Sequence, residues 1–102
     1  MSQQEIITKV RNTIKSDPNE EYIKSIYLFG SFLHGNAGKK SDIDLLFEMR
    51  KTMSLFQIGA VHYRLEQALK RKVDFVSKKS VIHELKDKII PEAKKIYERK
   101  KR

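Results

Sequence analysis

The run Asp42-Ile43-Asp44-Leu45-Leu46-Phe47 constrains this chain more than any other stretch. Successive side chains of a strand leave on opposite faces, so Ile43, Leu45 and Phe47 point into one side while Asp42 and Asp44 share the other. Two acids on one face repel each other unless a cation lies between them, and hard oxygen donors suit Mg²⁺ bridging to a nucleotide phosphate. Ten residues separate this run from Gly30-Ser31, which ends a second apolar stretch, Ile26-Tyr27-Leu28-Phe29. That stretch reads as a buried strand, and its terminal glycine lets backbone approach a phosphate with no Cβ in the way. A flexible turn placed ahead of two same-face carboxylates points to metal-dependent chemistry on a nucleoside triphosphate.

The other elements follow from periodicity. Ile6, Ile7, Val10 and Ile14 recur at helical spacing and predict a helix over about residues 3–16, ended by the turn formers Ser16-Asp17-Pro18-Asn19. The first strand begins at Ile23. Residues 31–36 can open a short helix whose free N–H groups favour an anion near Gly30 and Ser31. A loop through Gly35, Gly38, Lys39 and Lys40 leads into a second strand, Asp42 to Glu48. Leu55, Ile58, Val61, Leu65 and Leu69 mark an amphipathic helix with Ser54 as N-cap, which should cover one face of the sheet. Residues 72–76 form a third strand, and Ile82, Leu85, Ile89, Ala93 and Ile96 give a last helical stripe, kinked or split at Pro91. The order α, β, α, β, α, β, α predicts an α/β (α+β) fold, a small mixed sheet packed by helices.

Asp74 lies between Val73 and Phe75, so its carboxylate faces away from two core residues. If the second and third strands are neighbours, three carboxylates converge. An Asp74 standing alone would read as an ordinary surface residue; beside Asp42 and Asp44 it reads as the third member of a site.

Size and charge limit what surrounds that site. With 102 residues, 39% of them hydrophobic, residues 1–102 suit one domain with a modest core and a basic, frayed tail at 98–102, leaving no room for a separate substrate-binding domain. The absence of cysteine excludes disulfides and thiolate zinc sites. No signal-peptide core and no apolar run long enough to span a bilayer is present, so a cytoplasmic location without membrane contact is expected. The net charge of +9 is concentrated: residues 70–102 carry thirteen Lys/Arg against five Asp/Glu, whereas residues 1–69 carry nine against eight. Such a segment attracts nucleic acid, an acidic protein or polyphosphate, or is a solvated face. Without interleaved exposed aromatics it matches single-strand binding platforms poorly.

Gly30-Ser31, the ten-residue gap, Asp42-Ile43-Asp44 and the later strand acid Asp74 resemble the signature of the DNA polymerase β-type nucleotidyltransferase superfamily. The nearest resemblance is to its small stand-alone members, the minimal nucleotidyltransferases, among them MntA-like antitoxins paired with HEPN-domain toxins. It spans about residues 23–97, with Leu28-Phe29-Gly30-Ser31-Phe32 and Ser41-Asp42-Ile43-Asp44-Leu45 as its specific core. The resemblance implies a polymerase β-like palm fold and ATP as substrate. Asp42 and Asp44 would hold two Mg²⁺ ions, Asp74 would complete the metal site and take the acceptor's proton, and Gly30 and Ser31 would bind the nucleotide. Lys39 or Lys40 would offset charge on the leaving group. It further implies transfer of AMP to a tyrosine of a cognate HEPN RNase toxin, silencing it. Two rivals stand beside this: a binding-only antitoxin that masks its partner, and a basic nucleic-acid-binding domain.

Other motifs fail. A P-loop would need glycine where Leu33 stands and Ser or Thr where Lys40 stands, and the glycine spacing does not fit a dinucleotide fingerprint. His34, His62 and His83 have no partner at metal spacing, Ser31 lacks a nucleophile elbow, and Tyr22, Tyr27, Tyr63 and Tyr97 read first as packing residues.

Overall fold

Three α-helices and four strands lie among the described residues of a computed structural model, which describes residues 1–35, 38, 41–81 and 92–100. Helix α1, Gln3–Lys15, starts at a reciprocal cap: the Ser2 hydroxyl accepts from the Glu5 N–H at 3.1 Å and the Glu5 carboxylate accepts from the Ser2 N–H at 3.2 Å. Its Ile6, Ile7, Val10 and Ile14 are buried. Strand β1 is Ile23–Phe29, α2 the single turn Ser31–His34, and β2 Ile43–Met49. Helix α3, Leu55–Leu69, begins at Ser54, which caps with Gln57 in the same reciprocal way. Strand β3, Val73–Ser77, and strand β4, Lys94–Glu98, complete the sheet.

The strand order is β3-β2-β1-β4. β1 pairs antiparallel with β2 and with β4, while β2 and β3 run parallel through α3, so the sheet is mixed as expected. Ile26 and Leu28 of β1, Ile43, Leu45 and Phe47 of β2, and Val61, Leu65 and Leu69 of α3 join the α1 stripe in one core. Burying a side chain of this size is worth about 1.5–3 kcal/mol, and this core holds the strands in register. Phe47 stacks on Phe75 with centroids 4.2 Å apart. No helix among the described residues is long and apolar enough to cross a membrane.

The second and third strands each begin one residue later than their sequence spacing indicates, at Ile43 and Val73. A larger correction concerns the C-terminal part. Residues 82–91 lie outside the described residues, but 94–98 form β4 where the sequence stripe through Ala93 and Ile96 predicts helix. The outer edge of β1 supplies backbone partners there, with Ser25 opposite Glu98 and Leu28 opposite Lys94, and an irregularity between Ile26 and Tyr27 lets both Ile96 and Tyr97 enter the core. Long-range pairing thus overrides a local spacing that fits several conformations. At the start of the basic tail, Glu98 closes β4, and the Arg99 N–H donates to the Lys24 carbonyl at 2.8 Å. Residues 101–102 lie outside the described residues.

Candidate active site

The sheet topology brings the acids to one place. β2 and β3 are neighbours in parallel register, with Asp44 opposite Asp74, and β1 places Phe29 opposite Asp44. The next residue of β1's chain, Gly30, therefore sits over the Asp44 carboxylate. A Cβ built on Gly30 would come within 2.1 Å of Asp44 Oδ2, and its φ of +76° is a conformation that L side chains rarely adopt. Space and backbone both demand glycine here. The Gly30 carbonyl accepts from the N–H groups of Leu33 and His34 at 3.1 and 3.2 Å, winding α2 immediately after the glycine and setting Ser31, half-buried, at its first position.

Asp44 is the electrostatic centre. Partial burial, then its hydrogen bond with Asp74 and the repulsion of Asp74 and Asp42, push its carboxyl up to about 6. Asp74 is exposed beside it, and Asp42, half-buried, stands 4.0 Å from the Lys72 ammonium. Among the described residues no three His, Asp or Glu side chains stand close enough together to hold a metal ion as they are. The chemistry of the donors nevertheless fits a hard divalent cation: three carboxylates share one sheet face, and burial together with the Asp74 and Asp42 carboxylates raises the carboxyl of Asp44. Lys39 and Lys40 lie outside the described residues.

Several residues that hold this arrangement carry no motif. Arg71, between α3 and β3, donates to the Ser41 carbonyl at 3.1 Å and the Gly38 carbonyl at 3.4 Å, and its guanidinium lies 5.2 Å above the Phe32 ring. One side chain thus ties the residues just before Asp42 to the turn just after Gly30. Glu66 accepts from the Val73 N–H at 2.8 Å, and His62 contacts the Val73 carbonyl, so α3 fixes the start of β3 one residue before Asp74. In the sequence, nothing sets Arg71 apart from Lys70 and Lys72; the only available signal is its place at a helix–strand junction.

Comparison with known proteins agrees with this geometry. Residues 8–102 match the family described as Polymerase beta, Nucleotidyltransferase. A Methanocaldococcus jannaschii protein provisionally named a protein adenylyltransferase is 35% identical over 71 residues, covering 70% of this chain and 76% of that one. The protein adenylyltransferase MntA of Thermococcus cleftensis is 31% identical over 78 residues, covering 76% and 79%. Among solved structures, a chain in a crystal structure of a toxin–antitoxin with AMP-PNP superposes with a TM-score of 0.70 at 25% identity, over 97% of this chain and 75% of that one.

Proposed function

Because this chain belongs to the polymerase β nucleotidyltransferase family, we propose that it is a protein adenylyltransferase that moves AMP from ATP onto a tyrosine hydroxyl of a HEPN-domain RNase toxin, and so acts as the antitoxin. The observation that carries this reading is the Asp44 carboxylate lodged under Gly30 and paired in register with Asp74. The MntA name of one relative, and the toxin–antitoxin and AMP-PNP of the structural neighbour, support the acceptor and the nucleotide.

Asp42, Asp44 and Asp74 are the residues that would hold two Mg²⁺ ions. When bound, these ions neutralise the triphosphate and lower the pKa of the acceptor hydroxyl. Gly30 gives the phosphates access to backbone, and the Ser31 hydroxyl donates to a phosphate oxygen. The acceptor oxygen attacks the α-phosphorus, the bond to the β-phosphate oxygen breaks, and pyrophosphate leaves. Asp74, exposed at the rim, takes the hydroxyl proton. Lys39 and Lys40 are assigned to the pyrophosphate side by sequence position alone. Residues 1–102 act in this reading as one nucleotidyltransferase unit working in the cytoplasm.

Position-specific labelling tests the reaction class. With Mg²⁺ and a HEPN-domain protein from the same organism, ATP labelled at the α-phosphate should label the HEPN protein and ATP labelled at the γ-phosphate should not. Label arriving from the γ-phosphate, or from neither, would overturn the assignment.

A further inference from the structure

Away from the acids, an open groove of about 810 Å³ runs between the second half of α1 and β4, continuing past the strand to Lys100. It lies by the Ser25–Glu98 end of β1, whereas Asp44 pairs at Phe29, so roughly 13 Å of strand separates it from the active site. Five cationic side chains line it, against Glu20 and Glu98. Two of the five are spent internally: Lys95 pairs with Glu98 at 3.0 Å and Arg99 with Glu20 at 3.5 Å. Arg11, Lys15 and Lys100 are exposed and, among the described residues, have no acidic partner.

We propose that this α1–β4 groove is a docking site for an acidic segment of the protein that receives AMP. The inference rests on the adenylyltransferase reading for the identity of the partner, and on the groove for its chemistry. Three cations with no acidic partner among the described residues lie along one channel and select an anionic occupant. The groove also distinguishes between kinds of anion. Glu20 and Glu98, each paired with a cation of the lining, interrupt the run of positive charge that a uniform phosphate backbone would need along its length. Tyr97 is only 6% exposed, so the groove's sole aromatic offers no stacking surface for a base. Strand addition to the edge strand β4 is disfavoured too, because the Arg11 Nε–H already occupies the Ile96 carbonyl at 2.7 Å. An acidic peptide read by side chains fits what remains. Such a surface would hold a protein substrate while its hydroxyl samples the acids at the far end of β1.

The test is calorimetric titration of the HEPN protein into wild type and into the double variant Lys15→Glu/Lys100→Glu, with melting curves to confirm folding. Both lysines are exposed, so the fold is expected to survive. The variant should bind the HEPN protein at least about tenfold more weakly and lose most of the salt dependence, while its ATP affinity is unchanged. Equal affinities, or no binding of the HEPN protein to wild type, would overturn the docking site. So would a labelled single-stranded RNA that binds wild type and not the variant, since the groove would then be a nucleic-acid site. If the HEPN protein binds through the lysines yet receives no AMP, the docking site stands and the adenylyltransferase reading falls.

Discussion

Asp17 and Asp44 are both withdrawn from water, and the chain treats them in opposite ways. Asp17, in the turn after α1, is 5% exposed and receives a bidentate guanidinium from Arg64 of α3 at 2.6 and 3.1 Å, plus the Asn19 N–H at 2.8 Å. The pairing raises the Arg64 pKa, chiefly through that hydrogen bond. Among the described residues Asp44 has no ion-pair partner; burial and two neighbouring carboxylates raise its own carboxyl to about 6. The first acid fastens α1 to α3 across 47 residues of sequence. The second is held beside like charges, an arrangement that costs stability when ionised and that the proposed metal and nucleotide would offset.

The sharpest way to break this contrast is to neutralise each acid in turn. Asp44→Asn should abolish AMP transfer, by about a thousandfold or more, while raising the melting temperature of the metal-free protein. Asp17→Asn should do the reverse. Transfer below its melting point should be retained, but about 2 kcal/mol of stability should be lost in urea denaturation, because Arg64 loses its charged partner and a buried hydrogen-bond set is weakened. An Asp44→Asn protein that is both active and less stable would remove the distinction.

Arg71→Ala tests whether positioning can be separated from both. Loosening the ties to Gly38, Ser41 and Phe32 should lower kcat about tenfold with little change in KM for ATP, and Arg71→Lys should recover part of it. A matching loss of global stability with no change in kcat in the folded protein would make Arg71 merely structural.

The smallest effect is on pH dependence. A carboxyl raised from 3.8 to about 6 keeps its proton in the folded state after the unfolded chain has released it. Folding therefore favours proton binding in that window, and this group's contribution to stability falls as pH rises from about 4 to about 6 and is flat above. Asp44→Asn should lack that slope. Mg²⁺ with ATP, added above pH 6, should raise the wild-type melting temperature and leave the variant nearly unmoved.

The placement of Gly30 and the strand acids was more legible in the sequence than that of the residues supporting them. Gly30 and the alternation from Asp42 to Phe47 are local signals: one residue with no Cβ, and a period of two that can only be satisfied on a half-covered sheet. Ser54 marked the start of α3 for the same reason, since a cap acts within one turn. Strand β4 was hidden because five residues containing Lys94 and Lys95 become a strand only through the free edge of β1, which no local pattern encodes. The Asp17–Arg64 clasp and the reach of Arg71 to Ser41 join residues 47 and 30 positions apart, and each looks like ordinary surface charge when read along the chain.

The most direct test of the central claim is the intact mass of the HEPN protein after incubation with ATP, Mg²⁺ and each form of this chain. The account predicts mass increases in whole AMP units with wild type and with Asp17→Asn below its melting temperature, and none with Asp44→Asn. The same AMP additions from Asp44→Asn, or no addition from wild type, would contradict it.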